Sequence, residues 1–532
     1  MFEIAFLIGI YSYLIFFLGV LGVLYKNNIF VVTAVYLIIV LYYFFKKKRL
    51  HNLGKIKFDR FSIFLIVLIS AQALVNFIGV LAPEISFDSL WYHLVLPKIF
   101  LINHAVSHIS GGLLYYSDMP KFTEMLYVSA LSFGSETIAK LIHFSFGLLI
   151  LFSIYKISRK FLPKKFSLVA VLIFYSSLVV GWESITAYVD LARTFFEVLA
   201  FWGFLNWFES KSTKWLVISG VMMSFAITSK LVAVASLPVF LLLFAYEAYS
   251  KKERILLVVK RVFVFVFFAF LIPLPWFMFS FINTGNPFYP YFSNIPVDSG
   301  QSLVIPDLLF IFRDFYNLFL NLSDPISPLY LLLLPLIIVV LKKADLKVKF
   351  LALYTFSAII IWYLTQEARG GRFIMPYLPV FAVLAAYAVG KIKNKKIEAV
   401  AIIVVVIVSL SSILYRDLAN KKFIPVLLGR ESKSQFLTNN LNFSFGDFYD
   451  TDGYFAKTIK SSDKVLLFGF HNLYYVNFPF IDSSFIKKGD KFNYIAVQDS
   501  GIPARFSNWK EIYYNKTTHV KLYTKEGKEW VY

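Results

Sequence analysis

Residues 1–25 read MFEIAFLIGIYSYLIFFLGVLGVLY, with Glu3 as the one charge in the run. An α-helix needs roughly 20 apolar residues to cross about 30 Å of hydrocarbon. The run has no basic segment ahead of it and is too long for the core of a signal peptide, so it reads as a retained first helix. The same test carried outward finds thirteen candidate spans, near 2–25, 28–45, 61–82, 136–157, 165–182, 187–208, 213–230, 232–248, 257–281, 327–341, 349–365, 373–390 and 397–415. The fold class expected is a polytopic α-helical membrane protein with a more polar tail.

Composition agrees. A chain of 532 residues has room for three or four soluble domains, but 58% of this one is hydrophobic, 19% aromatic and only 16% charged, against about 25% charged in an average soluble domain. Mean hydropathy is +0.68. The net charge of +21 would suggest a nucleic-acid partner in a soluble protein; here cationic loops on one membrane face account for it, and no nucleic-acid partner is expected. With no cysteine in the chain, disulfides, thiol catalysis and thiolate zinc sites are excluded.

The distribution of that charge sets the topology. The segments 46–60, 156–165, 209–214, 251–261, 342–349 and 391–396 hold 27 Lys and Arg, whereas the alternate loops hold 7. Strict alternation follows, with the basic loops and the N-terminus cytoplasmic and the C-terminal tail outside. The expected setting is the cytoplasmic (plasma) membrane. Two domains are read: a multi-span unit over 1–415 with long outer loops at 83–135 and 282–326, and an extracytoplasmic α/β unit over 416–532. In the first loop SLWYHLVLPKIFLIN (89–103) reads as an amphipathic interfacial helix. In the tail KVLLFGF (464–470), NYIAVQD (493–499) and HVKLYTKE (519–526) read as strands, with a helix-like stretch around 451–461.

This topology sorts the polar residues. Glu84, Asp88, His93, Lys98, Asp118, Lys121 and Glu124 fall in the first outer loop, Glu183 and Asp190 at the outer end of the sixth span, Lys230 at an outer turn, and Glu367, Arg369 and Arg372 in the last short outer loop. Carboxylates and cations therefore meet on one side, near the lipid interface. Ionisable groups at membrane depth mark functional sites by default. Each also has a plainer reading: a solvated loop charge for Asp118 or Glu124, a favourable helix-dipole position for Asp190, snorkelling for Lys230, Arg369 and Arg372, and amphipathic-helix residues for His93 and His104. Asp88, wedged among apolar residues in PEISFDSLWYHL (83–94), suits pure solvation least. Cations match a phosphorylated lipid, a carboxylate can take a proton from an accepting hydroxyl, and fixed positive charge can stabilise a departing phosphate.

In their order, the motifs FDSLWYHLVLPK (87–98), DMPKFTEMLY (118–127), AYVDLARTFFE (187–197), GVMMSFAITSK (220–230), PWFMFSFINTGNPFYP (275–290) and GGRFIMPYLPVF (370–381) resemble the GT-C superfamily of integral-membrane glycosyltransferases. The likeness is to the family 39-like group, which holds protein O-mannosyltransferases and the bacterial aminoarabinose transferase of lipid A. The resemblance implies transfer of a sugar, with inversion, from a polyprenyl-phosphate donor to a lipid, glycan or protein acceptor on the outer face. It implies Asp88 as the base and Asp190 as a second catalytic acid that orients the acceptor or supports a metal. Arg369, Arg372, Lys230 and Lys98 are implied as donor-phosphate ligands, with Glu84, His93, Asp118 and Glu367 accessory. Many relatives carry adjacent acids in the first loop; here Ser89 follows Asp88. No cofactor is therefore assigned, and a divalent metal is left open. The rivals are a polar-lipid flippase or transporter, for which mid-span charges are sparse, a polysaccharide polymerase or ligase, and a non-catalytic relative.

Overall fold

The computed structural model describes residues 1–48, 59–293, 313, 316–319, 325–364, 370–525 and 529–532. Much of the expected outer loop 282–326 lies outside the described residues. Eight described helices are long and apolar enough to cross a membrane, or nine when a pair bent by 59° is taken as one span. They include α1 (Phe2–Val20), α2 (Lys26–Lys48), α3 (Arg60–Leu81) and, further on, α6 (Glu136–Ser158). Between α3 and α6 lie the short helices α4 (Val95–Asn103) and α5 (Phe122–Phe133).

All thirteen expected spans fall on helical segments, and some of these segments are short or broken. The stretch 165–182 divides into α7 (Lys164–Tyr175) and α8 (Leu178–Glu183) at Ser176 and Ser177. Next come α9 (Asp190–Ser210), α10 (Thr213–Ser229) and α11 (Leu237–Lys251). The bent pair is α12 (Ile255–Leu271) and α13 (Leu274–Thr284), where Pro273 and Pro275 remove backbone donors and crowd the preceding turn. The remaining long segments are α14 (Leu334–Leu341), α15 (Leu346–Leu364), α16 (Leu378–Gly390) and α17 (Lys395–Asn420).

Burial separates an interior from a lipid-facing rim. Helix α9 packs against α6 and α10 and is buried on nearly every side; α16 is apolar all round, which suits a helix at the centre of a bundle. Helix α2 instead leaves Phe30, Val31, Leu37, Ile38 and Leu41 exposed, and α17 leaves Ile403, Ile407 and Leu414 exposed. Such faces find their solvent in hydrocarbon.

The loop between α3 and α5 begins with a π-turn, Ser89–His93, and continues into α4. Val95, Leu96 and Phe100 are buried while Ile102 is exposed, so the expected amphipathic helix is present in a shorter form. The C-terminal part begins with α18 (Lys433–Asn440), capped by Ser432 and Gln435, and α19 (Tyr454–Thr458). Strands β1 (Val465–Phe468), β2 (Phe480–Asp482), β3 (Lys491–Phe492), β4 (Tyr494–Gln498), β5 (Lys510–Tyr514), β6 (Val520–Thr524) and β7 (Trp530–Val531) follow. Five of them form a sheet in the order β2-β1-β4-β6-β5, with β1 parallel to β2 and β4, and β6 antiparallel to β4 and β5. The three strands expected from sequence are β1, β4 and β6 at its centre.

The sheet sits against the loop that carries Asp88. Tyr92, Val95, Leu96 and Phe100 share one apolar core with Phe448, Val465 and Leu467. Lys98 donates to the carbonyls of Tyr474 (2.7 Å) and Val476 (2.6 Å), and the Tyr475 hydroxyl donates to the Glu84 carbonyl at 2.8 Å. Gly111 has φ +105°, and a Cβ placed there would lie 1.8 Å from the Ser484 carbonyl oxygen. Only glycine permits both that conformation and that approach.

Candidate active site

Four separated stretches supply the cluster around Asp88. The first is held by Glu84. One of its carboxylate oxygens accepts the N–H groups of Ile85 (2.8 Å) and Ser86 (2.7 Å), and the other accepts that of Ala187 at 2.7 Å. This carboxylate staples the Asp88 loop to the approach to α9, which explains why an acid stands there. The Asp88 N–H then donates to the Tyr188 hydroxyl at 3.1 Å.

The Asp88 carboxylate has two partners. Arg372 donates to its Oδ2 at 2.6 Å, and Tyr92, one turn along the chain, donates to the same oxygen at 3.2 Å. The Arg372 guanidinium lies against the rings of Tyr188 and Phe373, 5.3 and 4.9 Å from their centroids. The Lys230 ammonium also lies against Phe373, 4.7 Å from the same centroid, and is 2.6 Å from Asp190 Oδ1. Two acid–base pairs, Asp88–Arg372 and Asp190–Lys230, thus adjoin one aromatic ring. Asp190 is fully buried and its second oxygen has no partner, whereas the Arg372 side chain keeps 21% of its exposure. The Lys230 side chain keeps 16% of its exposure, so both cations are partly exposed.

The other expected site residues are placed as follows. His93 bonds Glu124 at 2.9 Å, and Lys121 stands 3.7 Å from the same oxygen with its ammonium near the rings of Tyr92 and Tyr116. Burial lowers the His93 pKa, which favours the neutral ring. This cluster backs the Tyr92 ring and does not bond Asp88. Asp118 pairs with His108 at 2.8 Å and Ser117 at 2.9 Å, and burial raises its pKa. Lys98 is occupied with the C-terminal segment, away from the Asp88 cluster. Glu367 and Arg369 lie outside the described residues. Among the described residues, no group of three or more His, Asp or Glu is placed to hold a metal ion.

Sequence reasoning did not assign roles to Glu183, Tyr92, Tyr188 or Phe373. Glu183 is fully buried with both carboxylate oxygens unpartnered, 3.9 Å from His143 Nε2. His143 accepts the Leu191 N–H at that nitrogen and bonds the Thr186 carbonyl at the other, so it is neutral and offers Glu183 no proton. Burial raises the Glu183 pKa well above the carboxylate range, toward the protonated form. Its signal was a lone acid between apolar runs. Tyr92 was legible only as the residue four places after Asp88. Arg193 and Glu197, one to two turns into α9, pair with each other at 2.6 Å; Ser236 donates to Glu197 at 2.8 Å, and Arg193 donates to the Tyr377 hydroxyl at 3.4 Å.

This arrangement can hold an anion at two cations and present a carboxylate beside it. A model of the family "Dolichyl-phosphate-mannose-protein mannosyltransferase" matches residues 125–279, a range that contains Asp190 and Lys230. No curated protein sequence matches the chain. The structure is similar to ArnT from Cupriavidus metallidurans bound to undecaprenyl phosphate, at 12% identity and TM-score 0.57, covering 86% of this chain and 97% of that one. The figures for the apo state of the same protein are identical. An oligosaccharyltransferase from Archaeoglobus fulgidus aligns at 13% identity and TM-score 0.48, over 86% of this chain and 73% of that one. The chain thus has the ArnT fold over most of its length, and its residues 125–279 match the mannosyltransferase-family model.

Proposed function

We propose that this protein is a membrane glycosyltransferase of the GT-C superfamily and that it transfers a monosaccharide from a polyprenyl-phosphate carrier to a hydroxyl of a lipid, glycan or protein acceptor, with inversion, at the outer face of the plasma membrane. The observation that carries the reading is the pair of ion pairs that meet at Phe373: a carboxylate held by a partly exposed guanidinium, with a second cation against the same ring. The carrier is supported by the ArnT likeness, since that protein is described bound to undecaprenyl phosphate.

In this mechanism the carrier chain lies along the lipid-facing helices with its phosphate toward Arg372 and Lys230. Asp88 removes the proton of the acceptor hydroxyl. The oxygen attacks the anomeric carbon on the face opposite the phosphate, a new glycosidic C–O bond forms, and the bond to the phosphate oxygen breaks. That oxygen keeps the electron pair, and the polyprenyl phosphate leaves as an anion into the field of the two cations. Asp190 holds Lys230 in position through a buried contact. Arg372 couples the two halves: a phosphate drawing it away would release Asp88 to act as base, and the Tyr92 hydroxyl would keep the carboxylate oriented. Tight positioning of donor and acceptor provides the rest of the acceleration.

The test uses purified protein in liposomes, radiolabelled polyprenyl-phosphate sugars and a membrane lipid extract as acceptor. Asp88→Asn should lower transfer by roughly 10²- to 10⁴-fold, the range for loss of a general base, with the fold retained. Undiminished transfer would refute Asp88 as the base. Movement of labelled lipid between leaflets without any transfer would refute the enzyme.

A further inference from the structure

Aromatic side chains gather on the solvent side of Asp88, and nothing in the transfer chemistry uses them. Phe87 immediately precedes Asp88. Its ring stacks on His471 at 4.7 Å and 29° and meets Phe445 edge-on at 5.3 Å. Trp91 lies 4.4 Å from the same His471 ring and 5.8 Å from Phe87. The indole N–H donates to the Leu113 carbonyl at 2.9 Å, which fixes its plane. His471 bonds the Asn472 amide oxygen at 3.2 Å, and Asn472 is tied to Asp447. The first outer loop supplies two of these rings and the C-terminal segment the other two.

The cluster is not a closed core. Phe445 is 61% exposed, while Phe87, Trp91 and His471 are half-buried. A phenylalanine left in water forfeits about 25 cal/mol for every Å² it could have buried, so a ring presented at the mouth of a site is best explained by what covers it. Phe445 follows directly on the apolar packing of Phe443, which is buried; the chain had an inward position available next to it and turned this ring outward.

We infer that these four rings form the acceptor platform and that the acceptor is a carbohydrate, seated with one pyranose face against the exposed Phe445 ring, beside Phe87, so that a ring hydroxyl reaches Asp88. This rests on the transferase reading above and names its substrate class. A pyranose has an apolar face of C–H bonds and an edge of hydroxyls. Aromatic faces match the first, and polar groups set at the ring edges match the second. Here the polar groups are the half-buried His471 imidazole, in contact with both Phe87 and Trp91, and Asp88, which follows Phe87 in the chain and is paired with Arg372. An acyl chain would instead require a groove without charged groups, and these rings adjoin a carboxylate and a guanidinium.

The test is saturation-transfer NMR on the full-length chain in detergent, with methyl α-mannoside, methyl β-glucoside and cellobiose as probes and a Ser/Thr-containing hexapeptide as the alternative ligand. Irradiating aromatic protons should saturate the C–H protons of a saccharide. The signal should fall severalfold in Phe445→Ala and His471→Ala, and Phe445→Trp should restore it. In the transfer assay the same alanine variants should raise the acceptor KM about tenfold, the scale of one lost aromatic contact, with the donor KM unchanged. Saturation of the peptide in place of saccharides, or unaltered saccharide signals in both alanine variants, would overturn the inference. Slow donor hydrolysis by water, measured without acceptor, separates the two levels. Hydrolysis that depends on Asp88 alongside a silent platform sinks only the acceptor assignment. Absence of donor turnover sinks the transferase reading itself.

Discussion

Lys230→Met places a neutral chain of similar volume where the ammonium now sits 2.6 Å from Asp190 Oδ1. Asp190 is fully buried, so the substitution leaves its charge without its direct cation. Removing one member of a buried ion pair costs about 3–5 kcal/mol, because the remaining charge is stranded. Asp190→Asn alone strands the ammonium, which keeps 16% of its exposure and can turn toward solvent, so its cost should be smaller. Asp190→Asn with Lys230→Met removes both charges and should be less harmful than Lys230→Met alone. Unfolding in detergent, followed by tryptophan fluorescence across an SDS titration, supplies the three free energies. The double-variant cycle should show a coupling of about 2–3 kcal/mol, at the upper end for contacting residues. Free energies that add within about 0.5 kcal/mol, as for independent sites, would refute the pairing.

Glu84→Gln keeps one acceptor oxygen and turns an NH₂ toward backbone donors, so it should cost about 1–3 kcal/mol through orphaned N–H groups; an unchanged melt would show that the Asp88 loop is held by other means. Gly111→Ala sets a methyl group against the Ser484 carbonyl and should loosen the C-terminal sheet, read as faster protease nicking near Ser484. Burial raises the Asp482 pKa from 3.8 to about 6. A carboxyl held protonated in the folded state contributes most below pH 4, and that contribution is lost as pH rises toward 6. Hydrogen exchange at β1 and β2 should therefore slow on going from pH 7 to pH 5, and Asp482→Asn should flatten the dependence.

The membrane character was legible because runs such as 2–25 and 397–415 are apolar but for one acid near the start of each, Glu3 and Glu398, a signal that needs no tertiary knowledge. Breaks were harder to read. The α12–α13 bend at Pro273 and Pro275 lies inside one continuous apolar run; hydropathy is blind to it, although the prolines themselves were visible. In the tail, β1, β4 and β6 stood out as β-branched and aromatic runs, while β2 has three residues and β5, KEIYY, reads as polar. For the site, Asp88, Asp190, Lys230 and Arg372 were legible as charges on one side of an alternating topology. Their pairing was not, since the partners are 284 and 40 positions apart and sequence spacing says nothing about which cation reaches which acid. Lys98 shows the reverse case: a cation in a matching motif whose donors are taken by backbone carbonyls that no local pattern announces.

The clasp between the first loop and the tail also bears on how the protein is made. Lys98 and Tyr474 are 376 residues apart, and Glu84 and Tyr475 are 391 apart. A ribosome completes the Asp88 loop long before the residues that brace it. Every intermediate in synthesis, and every product cut short before residue 474, therefore has an unbraced loop, and contacts so distant in sequence form late. The loop that carries Asp88 therefore takes its final form only after the tail has been made.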